Sequence, residues 1–142
     1  MPRGRARELM QTHVRTIMNV KLITVAPDDS LVDVAREIAA HSIGVVPVVD
    51  REQRLVGVIT GNDLVDLLHD GGRLDGRLAR DTMDAEPISI DEFATVDEAI
   101  GLMRNAPVRH LPVTRNQRLV GLVTASDLIR HLLKNYPEPE VA

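Results

Sequence analysis

Two stretches of the chain carry the same arrangement of chemically useful residues: Gly57, Thr60 and Asp63, and again Gly121, Thr124 and Asp127, both in the pattern G-x-x-T-x-x-D. This spacing supports two kinds of chemistry. A threonine followed three residues later by an aspartate resembles a capping box, in which hydroxyl and carboxylate satisfy the orphan N–H groups of a helix start. Alternatively, the glycine lets a ligand approach the backbone, the helix N-terminus aims N–H groups at a phosphate, and the carboxylate accepts hydrogen bonds from a ribose diol. A hydroxyl at a helix start can cap and still face a pocket, so both readings stand.

Other chemistries find no support. The chain has 142 residues and no cysteine, which removes disulfides, thiolate zinc sites and thiol nucleophiles. Five histidines, His13, His41, His69, His110 and His131, lack HExxH or similar spacing, so no metal and no resident cofactor is expected. No P-loop and no nucleophile with a base and an orienting acid can be recognised, so the chain is expected not to be an enzyme. Asp28, Asp29, Asp97 and Glu98 fall at expected helix starts, where the helix dipole favours acidic groups. Aromatic residues make up 1%, Phe93 and Tyr136, too few for a base-stacking platform. A formal net charge of −4 gives no general attraction to a phosphate backbone, so nucleic acid is not an expected partner. Arg3, Arg5 and Arg7 are followed by no apolar stretch of signal-peptide length, and no window approaches the roughly 20 apolar residues that cross a bilayer. A soluble, cytoplasmic protein is expected.

The elements that must position these residues come from an internal duplication. Residues 18–49 lie over residues 83–114, placing Ile23 on Ile88, Ser30 on Thr95 and Pro47 on Pro112; after one extra residue in the first copy, RLVGVITGNDL lies over RLVGLVTASDL. The period of roughly 65 residues exceeds the ~20–50 of solenoid repeats and describes two small domains. Each copy reads β-α-β-β-α. A short strand (22–25 or 88–90) leads to an N-cap, Ser30 or Thr95, and to a helix whose apolar positions follow i, i+3, i+4, i+7. Two strands rich in β-branched residues follow (45–49 and 55–59, or 110–114 and 119–123). A last helix runs over about 62–69 or 126–133. The expected class is α+β: an N-terminal extension over 1–9, repeats at 10–69 and 79–135, a glycine-rich linker at 70–78 and a tail at 136–142. The ends read as poorly ordered or partner-facing. Each repeat alone has a marginal core, so the two should pack through their sheets as a pseudo-twofold pair.

The doubled pattern, with Val46-Pro47-Val48 and Leu111-Pro112-Val113 on the first hairpin strands and G-h-h-T-x-x-D closing the second, resembles a pair of cystathionine β-synthase (CBS) domains, a Bateman module, over about residues 10–134. The resemblance implies a free-standing regulatory module that binds an adenosine-containing ligand, AMP, ADP, ATP or S-adenosylmethionine, in clefts between the repeats. It puts ribose on Asp63 and Asp127 and phosphates near Thr60 and Thr124. Residues of the opposite copy would complete each pocket: Ile23, Ile43 and Gly44 for Asp127, and Ile88, Val108 and Arg109 for Asp63. Plain core packing explains the aliphatic ones equally.

Gly44-Val45 of the first copy aligns with Arg109-His110 of the second, so only the second brings a guanidinium and an imidazole beside the implied phosphate position. Asp127 with Arg109 is therefore expected to be the stronger anion site; a solvated surface pair is the plainer alternative. Arg54, Arg115 and Arg118 are expected to face solvent. The resemblance further implies a homodimer through the apolar terminal helices and an effector protein that reads the bound state. The rival reading is a protein-interaction module with vestigial ligand sites.

Overall fold

The computed structural model describes residues 3–138. The outermost parts of the expected extension and tail, residues 1–2 and 139–142, lie outside it. In chain order the elements are α1 (Arg3–Met10), a 3-10 turn (Val14–Thr16), α2 (Leu31–His41), β1 (Val45–Val49), β2 (Leu55–Thr60), α3 (Gly61–His69), α4 (Ala79–Thr82), β3 (Ile90–Asp91), α5 (Val96–Asn105), β4 (His110–Arg115), β5 (Arg118–Thr124), α6 (Ala125–Leu132) and a 3-10 turn (Leu133–Asn135). Helices and strands mix around two small sheets, the α+β class that the repeat pattern implies.

The chain forms two compact units, and neither is continuous in sequence. One comprises residues 21–88 with 116–119. Here β1 and β2 pair antiparallel, Val45 opposite Thr60 and Val48 opposite Gly57, with a bulge between Val48 and Val49. All five residues of β1 are buried, as expected of a strand covered on both faces. Val25, Leu31, Val34, Val46, Val48, Ile59, Leu64 and Ala79 form the core. Ser30 caps α2, its hydroxyl accepting from the Asp33 amide, and the Ile43 amide donates to the carbonyl of Ile38 just beyond the helix end. The tip of the second hairpin also belongs to this unit: the Leu55 amide donates to Gln117 and the Leu119 amide to Gln53, each at 2.9 Å.

The other unit comprises, among the described residues, 3–20, 89–115 and 120–138. Its sheet has the order β3-β4-β5, with β3 parallel to β4 through Ile90 opposite Val113. Asn116 and Gln117 join β4 to β5 with φ of 50° and 70°, the two left-handed residues of a tight hairpin turn. Thr95 caps α5 by accepting from the Glu98 amide. Val14, Ile90, Val96, Ala99, Leu111, Val113, Val123 and Leu128 belong to its core.

Three local expectations change. The strand expected over 22–25 is a single bridging residue: Val25 pairs in parallel with Val48, its amide donating to the Pro47 carbonyl. Pro27, two residues on, has no N–H with which to extend the ladder. The matching strand in the second repeat is shifted to Ile90–Asp91. At the start of the chain, where a poorly ordered or partner-facing extension is expected, residues 3–10 form α1; Leu9 is buried and its carbonyl accepts a hydrogen bond from Nε2 of the buried His131 at 2.9 Å.

Candidate functional site

Each G-x-x-T-x-x-D segment lies where the second hairpin strand passes into the last helix of its repeat. Thr60 and Thr124 are the N-caps of α3 and α6, with extended backbones (φ −107°, ψ 159° and φ −109°, ψ 163°). The Asp63 amide donates to Thr60 Oγ1 at 3.1 Å while the Thr60 amide donates to Asp63 Oδ2 at 2.8 Å. In the second repeat the same bonds measure 3.2 Å and 2.9 Å. Both capping boxes are therefore closed, and all four side chains are half-buried. The first helical amide is also taken: Gly61 N–H donates to Gly44 at 3.1 Å, and Ala125 N–H to Arg109 at 3.0 Å.

These bonds fix what remains for a ligand. Three amides at each helix start are engaged inside the protein, and the N2 amides, Asn62 and Ser126, take no part in them. Each threonine hydroxyl accepts within the box and keeps its own proton to donate. A carboxylate offers about four lone-pair sites, and the box uses one oxygen, Oδ2. At Asp127 the other oxygen meets Arg130 at 3.1 Å. Arg130 escaped the sequence reading, although an arginine three residues after a helical aspartate is an i, i+3 signal. At the corresponding place the first repeat has Asp66.

The hairpin entries adjoin the helix starts within each unit. Gly44 reaches Gly61 and Arg109 reaches Ala125, each through its backbone carbonyl. Arg109 is exposed and donates to the Val108 carbonyl at 3.3 Å. His110 is half-buried, and burial pushes its imidazole below the ordinary histidine range. Ile43 and Val108 pack against the cores of their own units, as plain core residues would. Ile23 is half-buried, and Ile88 is 38% exposed.

Gly57 and Gly121 are buried for a reason that spacing alone did not disclose. A Cβ on Gly57 would meet Met83 Sδ at 2.6 Å and the Asp84 carbonyl at 2.9 Å, and one on Gly121 would meet the side chain of Met18. The close approach that each glycine permits is made here by another segment of the protein. Val58 and Asp84 exchange both backbone hydrogen bonds, as do Leu122 and Asn19.

Two further observations bound the chemistry. Arg115 is exposed, as expected, and holds the buried carboxylate of Glu92 through two hydrogen bonds, and that carboxylate raises the guanidinium's hold on its proton. A cavity of about 500 Å³ lies between residues 24–29 and the first hairpin tip, away from Thr60 and Asp63. Its acids are engaged: Asp28 with Arg80, Asp29 with the Ala26 amide, Asp50 with Arg54. Among the described residues no cluster of three or more His, Asp or Glu could hold a metal ion, and no helix is long and apolar enough to cross a membrane.

The CBS domain family model matches residues 14–70 and 79–134. Hypoxic response protein 1 of Mycobacterium tuberculosis is 33% identical over 126 residues, 85% of this chain and 85% of its own. A solved Hypoxic Response Protein I structure with two coordinated zinc ions is similar with a TM-score of 0.76 at 30% identity, over 84% of this chain and 98% of that one. CBSX2 of Arabidopsis thaliana in complex with AMP gives a TM-score of 0.79 at 25% identity, over 88% and 98% of the two chains. The CBS domain pair of protein MJ0100 in complex with methylthioadenosine and S-adenosylmethionine gives 0.77 at 27%, over 87% and 98%. With both repeats matched, the chain belongs to the CBS domain family and carries two such domains.

Proposed function

We propose that the chain is a regulatory module that binds an adenosine-containing ligand at the helix starts of its repeats and passes the bound state to a partner protein, acting by binding rather than by turnover. The observation that carries this reading is the second repeat's helix start. It combines a donor hydroxyl on Thr124 with the half-buried Asp127 carboxylate, and the backbone carbonyl of Arg109, the residue before His110, accepts from the first helical amide, Ala125. A ribose diol fits the lone pairs that the capping box leaves, and a phosphate fits a guanidinium. Relatives bound to AMP, methylthioadenosine and S-adenosylmethionine support the ligand class. In this proposal Ile43, next to Gly44 in the first repeat, and Val108, next to Arg109 in the second, each offer an aliphatic side chain near the helix start of their own unit. Signalling follows from differential affinity, since a ligand shifts an equilibrium only by its preference for one arrangement over another.

Calorimetric titration with AMP, ADP, ATP and S-adenosylmethionine tests the reading. Binding of at least one is expected, and Asp127→Ala should weaken it by about 1.5–3 kcal/mol through loss of a charge-assisted hydrogen bond. No heat with any of the four at millimolar concentration rejects ligand sensing. Unchanged affinity with a lowered melting temperature assigns Asp127 to capping alone.

A second reading is favoured by the closed capping boxes and by exposed apolar residues on the last helices: a protein-interaction module whose ligand sites are vestigial. Val65 and Leu68 on α3, Ile129 on α6 and Leu133 just beyond it all stand more than half exposed. Under either reading we assign these residues to a homodimer contact and the protein to the cytoplasm. Sedimentation of Ile129→Lys, expected to shift the protein toward monomer, decides the first assignment.

A further inference from the structure

We infer that Arg130 and Asp66 set opposite ligand charge preferences at the two helix starts, so that the second-repeat site takes phosphorylated adenosine compounds and the first-repeat site takes uncharged or cationic ones. The inference rests on the ligand reading above and names the class for each site.

Side chains on a helix lean toward its N-terminus, so a long residue on the second turn reaches back over the cap. Arg130 does so, with its guanidinium nitrogen 3.1 Å from Asp127 Oδ1 and a side chain 72% exposed. It leaves the Asp127 carboxylate neutralised as a pair while its remaining N–H groups stay available. Arg109, whose backbone carbonyl accepts from the Ala125 amide, and His110 beside it add a second arginine and an imidazole to the segment that meets this helix start.

The first repeat inverts the balance. Gly44 and Val45 replace Arg109 and His110, and Asp66 replaces Arg130. Asp63 and Asp66 therefore add two negative charges at the start of α3 with no cation at the equivalent positions. A phosphate placed here meets like charge, whereas a ribose bearing a neutral or sulfonium-linked group does not.

The experiment is calorimetry of the full chain with AMP and with adenosine, at low and at high salt. Wild type is expected to prefer AMP, with the preference shrinking as salt screens the guanidinium. Arg130→Asp should cut the AMP-over-adenosine ratio about tenfold, Arg130→Gln about threefold, and Arg130→Lys should largely restore it. Asp66→Arg should raise the number of AMP molecules bound per chain. Because Arg130 is exposed, these variants should melt close to wild type, and a variant that does not is replaced by the Gln substitution. If both ligands bind but the ratio is unchanged in Arg130→Asp and Arg130→Gln, the charge assignment is overturned while the ligand reading stands. If wild type binds neither ligand, both fall together.

Discussion

At the scale of single residues, His110 shows how a modest change of setting becomes a testable property. Burial disfavours its imidazolium, so the folded chain binds a proton less readily than the unfolded one. The sign follows: stability is highest with the ring neutral and declines as pH falls from about 6.5 through the lowered folded value. A melting series from roughly pH 7.5 to 5 should show a steeper loss for wild type than for His110→Gln. Equal slopes would remove His110 from the account. A bound phosphate would favour the imidazolium, so nucleotide binding at acidic pH should take up protons in wild type and less so in the variant. The capping residues of the candidate site were legible from the sequence. Thr60, Asp63, Thr124 and Asp127 could be named from spacing because a capping box is local, closed within four residues. Arg115 is exposed, as the hairpin position implies, but its pairing with the buried Glu92, 23 positions away, is not written in local pattern.

At the scale of elements, the two glycines give unequal predictions although their motifs match. The Cβ of Gly57→Ala would press on the Asp84 backbone carbonyl, which is bonded to Val58 and cannot move freely, whereas that of Gly121→Ala would press only on the flexible side chain of Met18. Gly57→Ala should therefore cost about 1–3 kcal/mol, within the range for overpacking, and Gly121→Ala distinctly less. Urea unfolding of the two variants checks the order, and a larger loss for Gly121→Ala would contradict it. The helices were readable because an amphipathic face and an N-cap both lie within a few turns of chain: Ser30, Thr60, Thr95 and Thr124 all cap. The first strand of each repeat was misjudged because a strand's length depends on its partner. Val25 finds one backbone partner and β3 finds two.

At the scale of the whole molecule, the two compact units exchange the lead-in segments of the repeats. Val14 and Met18, at the start of the first repeat's sequence, pack in the unit built on the second, and α4, Met83 and Asp84 pack in the unit built on the first. A fragment of residues 21–88 keeps Ala79 and Met83 on the first core, while a fragment of residues 10–69 lacks both. Circular dichroism should show cooperative unfolding for the 21–88 fragment, though of low stability at this size, and little ordered structure for the 10–69 fragment. The opposite ranking would show that each repeat folds on its own sequence.

The amino-acid sequence by itself determined the duplication, the helices and hairpin of each copy and the residues that cap those helices, because these depend on residues a few places apart. Only the tertiary structure decided which unit each lead-in segment joins and what fills the space beside Gly57 and Gly121. Those outcomes depend on which surfaces close on one another across long stretches of chain, where the cost of closing a loop grows only slowly with its length and packing makes the choice.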